Sequence, residues 1–387
     1  MTAPKINSDR AGIFISEPSG YKSYLPKKLP PFPDIIMDSG MIKLMSEADG
    51  KLGRLDGITQ ILPNPELFVA MYVNKEAVLS SQIEGTQASF IDLMGASIKK
   101  HESQEKVIDI VNYVDAVNYG LERIKELPLS LRLLKEIHSR LLKTGRGSSL
   151  TPGEFRTSQN WIGAVGSNIN TATFVPPAVP NMLQAMYDLE NFMHVEDDIP
   201  ILIKIAMIHS QFETIHPFLD GNGRMGRLLI TFLLCQQEIL TAPLLYLSYY
   251  FKLNRADYYD KLMDVRTKGD FEGWIKFFLA GVSFVSDEAV ASAKNIIALN
   301  TEVSGTLSSK YPANNNYQRM LKLLFEQPIV NKRTVADQLK ISFPTASSIV
   351  DNFVESSILV DYSPDSRRNK SYLFDRYMKI LQKGTEL

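Results

Sequence analysis

Apolar residues recur at helical spacing along most of the chain, and this pattern predicts a mainly all-α protein. Residues 66–79 form one strongly apolar stretch after a turn signal at 63–65. The spacing over 107–125 and 127–142 predicts two further amphipathic helices. Five more helices are predicted, in chain order, at 180–195, 201–215, 245–251, 256–265 and 271–299.

One segment in the middle of the chain favours strands over helices. Short apolar runs at 161–164 and 171–175 flank a loop with turn chemistry, so we predict a β-hairpin that is closed by Pro176 and Pro177. Residues 1–34 are polar and proline-rich, and we expect extended backbone there. This N-terminal arm is predicted to pack on its own domain, with recognition of a partner as the alternative.

The C-terminal part of the chain has a separate pattern. Residues 300–316 are poor in apolar side chains and are predicted to be a linker. Beyond them the pattern predicts helices at 317–325, 334–339 and 344–358 and strands at 359–362 and 370–374. This order of elements is typical of a winged helix-turn-helix domain, which we place at 312–387. The preceding boundaries are predicted at 1–110 for the arm and an N-terminal helical region and at 111–300 for the core.

The stretch 216–227 carries most of the candidate chemistry. A helix is predicted to end near His216, and a second helix begins at about residue 222 after a tight turn. Backbone N–H groups at a helix start attract anions, and the glycines at 221 and 223 leave those groups uncovered. Two arginines, three residues apart, share one side of the second helix. Together with the histidine and the carboxylate of Asp220, they indicate phosphoryl or nucleotidyl transfer.

Three other interpretations of this stretch are possible. Residues 221–226 have the form GxGxxG, but a dinucleotide fingerprint follows a strand and this turn follows a helix pattern. Glu213 and His216 have the spacing of a di-iron ligand pair, which requires a second such pair, and no other histidine has a glutamate three residues before it. A helical corner with a glycine cap would leave the carboxylate and both arginines unexplained.

The stretch resembles the signature of the Fic family, HPFx(D/E)GN(G/K)RxxR, at every fixed position. The resemblance implies a Fic helical bundle with a β-hairpin flap, and a protein adenylyltransferase that moves AMP from ATP to Ser, Thr or Tyr hydroxyls of a target protein or of itself. It implies that His216 is the general base, with an ordinary pKa of about 6.5. Asp220 would hold Mg²⁺ or Mn²⁺. The implied phosphate-binding residues are Gly221, Asn222, Gly223, Arg224 and Arg227.

A second, shorter pattern lies at the end of the predicted helix 66–79. Ser80, Glu84 and Gly85 form Ser-x-x-x-Glu-Gly, with the serine and the glutamate on one side of a helix and the glycine able to end it. The pattern resembles the inhibitory motif of the Fic family. The resemblance implies that Glu84 pairs with Arg227 and obstructs the γ-phosphate of ATP, and some members use this glutamate to remove AMP again. The alternative is a solvated carboxylate at a helix end.

Two further groups of residues are candidate site residues only because of the resemblance. The predicted hairpin corresponds to the Fic flap, so Thr173, Phe174 and Val175 would dock a target by main-chain pairing; the alternative is a simple surface excursion. Tyr258 and Tyr259 lie where Fic proteins hold adenine, although tyrosines at this spacing also suit core packing.

Composition and charge add few constraints. The chain has 387 residues and a formal net charge of −1, which gives no general indication of a nucleic-acid or membrane partner. No run approaches the roughly 18–20 apolar residues of a membrane span, and we expect a cytoplasmic protein. Its single cysteine, Cys235, is expected to pack in the core.

The predicted winged helix leaves the partner of the C-terminal domain open. Its third helix carries Asp351 and Glu355 and is not basic, whereas Arg367, Arg368 and Lys370 in the wing could contact phosphates. Dimerisation or target docking is as probable a role as DNA binding, and we expect a homodimer. The competing hypothesis for the whole chain is a DNA-binding regulator with a nucleotide-sensing core.

Overall fold

The computed structural model describes residues 9–59, 62, 64–95, 102–363 and 370–386. The prediction of a mainly helical protein is confirmed. The helices are α1 (Ser39–Thr59), α2 (Pro65–Ile83), α3 (Phe90–Gly95), α4 (Glu102–Arg123), α5 (Leu131–Leu141), α6 (Val179–His194), α7 (Ile201–Ile215), α8 (Asn222–Gln236), α9 (Ser248–Leu253), α10 (Arg255–Lys268), α11 (Phe271–Lys310), α12 (Asn316–Glu326), α13 (Lys332–Leu339), α14 (Phe343–Glu355) and α15 (Asp375–Leu381). The strands are β1 (Ile13–Ser16), β2 (Lys22–Leu25), β3 (Ile329–Asn331), β4 (Val360–Asp361) and β5 (Ser371–Leu373).

The N-terminal arm is not simply extended, because β1 and β2 pair as an antiparallel hairpin. Gly20 has a φ of +88° in the turn between them, a conformation that glycine adopts without a steric penalty. The hairpin packs on the core: the amide of Tyr24 donates to the carbonyl of Val175 at 2.9 Å, and its hydroxyl donates to the carbonyl of Arg266 at 2.9 Å. The arm therefore packs on its own domain, as predicted, but as paired strands.

Helix α7 is the centre of the bundle. Residues 202–215 are all buried, since α7 is covered by α6, α8, α10 and α11. Trp274 of α11 is fully buried and donates from Nε1 to the carbonyl of Ala206 at 2.7 Å. The end of α7, where the candidate chemistry begins, is thus held by the interior of the protein.

The linker predicted at 300–316 is wrong, because α11 continues to Lys310. Val303 and Leu307 are buried and extend the helical spacing of Leu299. Burial of this apolar face stabilises the helix through the polar stretch. Only residues 311–315 separate α11 from α12. The boundary predicted between residues 110 and 111 falls inside α4.

The C-terminal elements have the order of a winged helix-turn-helix. A three-stranded sheet of order β3-β5-β4 lies beside α12, α13 and α14, with both strand pairs antiparallel. The predictions missed β3, because a three-residue strand is too short to show alternation, and they also missed the short helix α15. Residues 364–369, which include the wing arginines Arg367 and Arg368, lie outside the described residues. Lys370 is described, and it pairs with Asp361 at 2.5 Å.

The hairpin predicted at 161–175 is reduced to one antiparallel bridge. Ile162 and Phe174 exchange two main-chain hydrogen bonds of 2.8 and 3.0 Å, and turns and bends fill the segment between them. Asn168 and Thr171 bond to each other there, and the indole of Trp161 donates to the carbonyl of Ser167 at 3.1 Å. These local bonds replace the ladder that longer strands would need.

None of the helices in the described part of the chain is both long enough and apolar enough to cross a membrane.

Replacing Gly120 with alanine is expected to destabilise the protein. Gly120 lies in α4 where it meets α8, and an added Cβ would lie 2.6 Å from Cε1 of Phe232, whose ring is fully buried. Overpacking of this kind costs about 1–3 kcal/mol. We expect the free energy of unfolding, measured by urea denaturation, to fall by about that amount.

Gly57→Ala is the matched control. Gly57 is exposed in α1, and an added Cβ would meet nothing within 4 Å outside its own stretch of helix in the described structure. Alanine should stabilise that position by about 0.5–1 kcal/mol. Equal effects of the two substitutions would contradict the close contact of α4 with α8.

Candidate active site

The turn that follows α7 begins at His216, which has a φ of +50° and a ψ of +60°. This left-handed conformation is uncommon for a residue with a side chain, so the surroundings must hold it in place. The carbonyl of His216 accepts from Nε of Arg156 at 3.0 Å and from Nδ2 of Asn160 at 3.1 Å. Arg156 is almost fully buried and also donates to the carbonyl of Pro177 at 2.5 Å. Arg156 therefore ties the turn to the end of the flap.

The ring of Phe218 fixes the middle of the turn. It is fully buried and stacks on His138, with ring centroids 3.7 Å apart. Nδ1 of His138 accepts from the amide of Gly153, so Nε2 carries the proton and donates to the carbonyl of Asp220 at 3.0 Å. The side chain of Asn222 closes the turn by accepting from the amide of Phe218 at 2.9 Å and donating to its carbonyl at 2.8 Å.

Helix α8 starts directly after this turn and presents free backbone N–H groups. Its first main-chain bond runs from the amide of Met225 to the carbonyl of Gly221 at 2.9 Å, so the amides at 222–224 have no acceptor within the helix. Gly221 has a φ of +77°, which turns the chain sharply into the helix. The start of α8 therefore has the uncommitted amides that an anion site requires.

Arg224 and Asp220 line this site. Arg224 is buried, its Nε has no hydrogen-bond partner in the described structure, and its Nη2 lies 4.0 Å from Oδ1 of Asp220. Oδ1 of Asp220 accepts from the amide of Gly221 at 2.7 Å. The unused Nε donor of this buried guanidinium could bind an anion, which the positive charge would also stabilise.

The predicted ion pair between Glu84 and Arg227 is present. Nη2 of Arg227 donates to Oε1 of Glu84 at 2.8 Å and to the carbonyl of Ser80 at 3.0 Å, and its Nε donates to the hydroxyl of Ser80 at 2.8 Å. Gly85 follows with a φ of +93°, so the chain turns away directly after the glutamate. Burial opposes ionisation of Glu84, but the Arg227 guanidinium outweighs it and lowers the pKa of this carboxyl.

The carboxylate of Glu84 also covers the start of α8. A Cβ added to Gly223 would overlap Oε1 of Glu84 and would lie 3.0 Å from Nη1 of Arg227. The glutamate thus lies directly beside the first turn of α8. Arg146 braces the same residue, since its Nη1 donates to the carbonyl of Glu84 at 3.1 Å.

The imidazole of His216 is neutral. Burial and then the Arg266 guanidinium lower the pKa of His216 to about 3, well below the ordinary value expected from the sequence. Its Nδ1 is buried and has no partner in the described structure. The expectation of an unperturbed histidine is therefore wrong, because a sequence does not reveal how deeply a side chain will be buried or which cation will lie beside it.

Two buried carboxyl groups, those of Glu76 and Glu213, interact electrostatically with Arg227. Glu76 lies one turn before Ser80 in α2 and bonds to the hydroxyls of Tyr113, at 3.1 Å, and Ser248. Glu213 lies so close to α8 that a Cβ on Gly226 would overlap its Oε1. Burial raises the pKa of each carboxyl to about 7.

The two tyrosines predicted to contact adenine have different environments. Tyr258 is 1% exposed, and its hydroxyl donates to Nε2 of His209 at 2.9 Å, because Nδ1 of that histidine donates to the carbonyl of Gly226. Tyr258 is thus a core residue, which agrees with the alternative that these tyrosines pack in the core. Its predicted adenine contact conflicts with its burial. Tyr259 is 39% exposed and remains accessible to a ligand.

The three flap residues are only partly accessible. Phe174 and Val175 are buried, and the ring of Phe174 lies 4.2 Å from the guanidinium carbon of Arg266. The carbonyl of Val175 already accepts from the amide of Tyr24 in β2. Thr173 is exposed. Any docking of a target by main-chain pairing therefore falls to residues on the exposed side of the bridge.

Sequence reasoning missed the residues that hold the turn. Arg156, Asn160 and His138 lie 56 to 78 positions before His216 in the sequence, and nothing in their spacing reveals their contacts. The segment that ends at Arg156, Thr-Pro-Gly-Glu-Phe-Arg, has a Pro-Gly turn signal and no repeating pattern that indicates a buried arginine. The only signal for a buried carbonyl-binding group here is an arginine that directly follows an apolar residue in a turn.

Comparison with known proteins places this site in a family. Residues 42–122 match the family model described as Fic/DOC family N-terminal, and residues 128–234 match the model described as Fic/DOC family. The second match includes the whole turn from His216 to Arg227. The chain therefore contains a Fic/DOC N-terminal region and a Fic/DOC domain.

Curated relatives share part of the chain. A probable protein adenylyltransferase of Aquifex aeolicus is 29% identical over 184 residues, which cover 45% of this chain and 52% of the relative. The protein adenylyltransferase Fic of Culex quinquefasciatus is 30% identical over 186 residues, which cover 47% of this chain and 33% of the relative. The chain thus spans about half, or less, of the length of these relatives.

The fold is shared with a solved structure. A crystal structure of a Fic family protein from Desulfovibrio desulfuricans G20 superposes with a TM-score of 0.58 at 19% identity. The superposition covers 88% of this chain and 97% of that protein. At this identity the likeness establishes the fold alone, and it extends beyond the two regions that match the family models.

We expect the imidazoles of His138, His209 and His216 to stay neutral at pH 5. Burial is the main cause that lowers their pKa values, to about 4, 3 and 3 respectively. Each should then be less than roughly one tenth protonated at pH 5, whereas an ordinary imidazole is almost fully protonated there. Carbon–proton NMR spectra of ¹³C-histidine-labelled protein, recorded from pH 8 to pH 5, measure this directly.

Single His→Gln variants would assign the three resonances in that titration. An imidazole of His216 that titrates near the ordinary value would show that the turn is not packed as described.

Proposed function

We propose that this protein is a protein adenylyltransferase that transfers AMP from ATP to a Ser, Thr or Tyr hydroxyl of a target protein or of itself. The observation that carries the proposal is the start of α8, where free amides and the unsatisfied Nε of the buried Arg224 meet beside a neutral His216. Such a site stabilises a phosphate chain and accepts a proton at its edge. The names of the curated relatives support the same activity.

In this proposal the phosphates of ATP bind where Glu84 now covers Gly223. The amides at 222–224 would cradle them, Arg224 would neutralise the β- and γ-phosphates, and Arg227 would bind the γ-phosphate once Glu84 leaves it. Binding the leaving part of the nucleotide through two guanidiniums would fix the α-phosphate in line for attack. Tyr259 is the accessible candidate for the adenine contact.

Asp220 is the residue that would hold a divalent cation. Its carboxylate is the kind of hard oxygen ligand that Mg²⁺ or Mn²⁺ prefers. No cluster of three or more His, Cys, Asp or Glu side chains that could bind a metal occurs among the described residues. One carboxylate suits a cation that takes its other ligands from water and phosphates, so the residues present fit the group. When bound, the cation would neutralise charge on the phosphates.

His216 would accept the proton of the attacking hydroxyl. The hydroxyl oxygen forms a bond to the α-phosphorus, the bond from that phosphorus to the oxygen bridging to the β-phosphate breaks, and pyrophosphate leaves. The low pKa of His216 ensures an unprotonated imidazole before the reaction. A bound triphosphate would raise that pKa, because nearby negative charge stabilises the imidazolium.

We further propose that Glu84 inhibits this activity in cis. Its carboxylate competes with a phosphate for the start of α8, and its bond occupies Arg227. Both effects disappear if the last turn of α2 moves away. Removal of AMP by a water molecule activated at Glu84 is a second role that the same position would allow.

The partners of the C-terminal domain are also proposals. A homodimer is expected, and DNA contact through 312–387 stays a prediction. Of the basic residues described there, Lys332 pairs with Asp351 at 2.7 Å and Lys370 pairs with Asp361. These pairs reduce the positive charge that phosphates of DNA require, so a protein target is favoured.

Incubation with α-³²P-ATP should label the protein or a target, and γ-³²P-ATP should not. The reason is that the α-phosphorus is the one attacked. His216→Ala should lower the labelling by about 10²–10⁴-fold, the usual contribution of a general base. Labelling is measured by gel autoradiography after nucleotide removal.

His194→Ala is the control in that assay, because His194 is exposed at the end of α6 and lies outside the turn. Transfer of the γ-label, or full activity in His216→Ala, would contradict the proposed chemistry.

Glu84→Gly should raise the initial rate of labelling at least about tenfold, because a charge-assisted bond to Arg227 contributes roughly 1.5–3 kcal/mol. His216→Ala in the same background should abolish the gain. Glu326→Gln, at an exposed glutamate of α12, serves as the control. An unchanged rate in an otherwise active protein would remove the inhibitory role of Glu84.

A further inference from the structure

The inhibitory turn of α2 is held from two sides. Ser80 and Glu84 share the side that contacts Arg227. Gln82 lies two residues from each of them, and two residues correspond to a rotation of about 200° around a helix, so it faces away from Arg227. What Gln82 binds therefore decides how the opposite side of this turn is held.

The side-chain amide of Gln82 is bonded on both of its polar atoms. Its Nε2 donates to the carbonyl of Ala88 at 3.0 Å and to the carbonyl of Thr385 at 2.9 Å. Its Oε1 accepts from Nζ of Lys252 in α9 at 2.7 Å. A residue near the end of the described chain thus contacts the middle of the inhibitory motif directly.

Lys252 extends the same contact along the C-terminal main chain. Its Nζ donates to the carbonyl of Gly384 at 3.2 Å and to the carbonyl of Glu386 at 2.5 Å. Three consecutive carbonyl oxygens, at residues 384–386, are therefore bound by one ammonium group and one amide. Bonds from a charged donor are about twice as strong as neutral ones.

The segment 383–386 fits closely against α9 and α11. Gly384 has a φ of +85°, and an added Cβ would lie 2.7 Å from Cδ2 and Cζ of the Tyr249 ring, so only glycine suits this position. Thr385 is 2% exposed. Lys383 pairs with Glu288 of α11 at 2.7 Å. The segment follows α15 of the C-terminal domain after a single residue, Gln382.

We propose that Gln82, Tyr249 and Lys252 form a peptide-binding site whose ligand is the main chain of residues 384–386, and that its occupancy keeps Glu84 on Arg227. The proposal rests on the proposed function, because release of Glu84 changes activity only if the site at α8 is catalytic. It adds a regulatory input, because the C-terminal domain would control the inhibitory glutamate through residues 384–386.

The physical basis is the freedom of a helix end. The last turn of a helix opens easily, and each contact that closes it lowers the population of the open form. Arg227 holds one side of this turn, where Arg146 also bonds to the carbonyl of Glu84. With the 383–386 segment bound on the other side, opening must break the bonds of Gln82 as well, so release of the segment shifts the population toward a withdrawn Glu84.

Two variants test this site: Gly384→Ala changes the bound segment, and Lys252→Met changes the site that binds it. The first displaces the segment from Tyr249, and the second removes the ammonium donor. We expect each to raise the rate of labelling by α-³²P-ATP about threefold to tenfold, the effect of losing one or two net hydrogen bonds. Gly305→Ala and Lys294→Met, at exposed positions of α11, are the matched controls and should leave the rate unchanged.

The Glu84→Gly background shows whether the effect acts through the glutamate. There Gly384→Ala should give no further increase, since no carboxylate is left to release. An equal increase in both backgrounds would overturn the proposal, because the segment would then act elsewhere. If Glu84→Gly is active and Gly384→Ala labels no faster than the unsubstituted protein, the proposal is overturned as well.

Hydrogen exchange separates failure of this proposal from failure of the proposed function. The amides of Glu84, Gly85 and Thr86 bond to the carbonyls of Ser81 and Gln82. These amides should exchange faster in Gly384→Ala than in Gly305→Ala. If Glu84→Gly shows no activity, the transferase proposal fails and exchange alone decides: unchanged protection of residues 84–86 would show that the segment does not hold this turn.

Discussion

The buried charge of Arg227 is the constraint on which the site depends. A guanidinium cannot lose its proton inside a protein, so it must be paired wherever it lies. Here Ser80 and Glu84 provide that pairing, while Glu76 and Glu213 lie behind it with their pKa values raised by burial. The arrangement has two acceptable partners for one cation, a carboxylate or a phosphate. Under the proposed function, competition between them would give the site two states.

The sequence predicted the parts of this site that are close together along the chain. The turn between His216 and Gly221 was predicted from helix periodicity and glycine placement alone, and it lies between the end of α7 at Ile215 and the start of α8 at Asn222. The contact of Glu84 with Arg227 joins residues 143 positions apart, and only the resemblance to a family predicted it. The contacts of Arg156 and Asn160 were not predicted at all, since long-range bonds to carbonyl groups have no sequence pattern.

The fold shows a similar division. Long amphipathic helices were predicted correctly in kind, because a stripe of apolar side chains repeats over many residues. Polar composition misled the prediction at 300–310, where a few buried residues suffice to continue α11. The short strands β1, β2 and β3 were missed because pairing between segments, rather than local alternation, stabilises them. The low pKa of His216 likewise depends on neighbours that only the folded chain brings together.

The forty residues of α11 have a consequence for how such a chain can vary. At a rise of about 1.5 Å per residue the helix is a rod of roughly 60 Å, with Trp274 in the core near one end and Leu307 near the C-terminal elements at the other. Each residue inserted between them would turn the far end by about 100° about the axis. Only insertions of nearly whole turns, such as seven residues, would keep both ends in phase. The helix must therefore keep its register over its whole length.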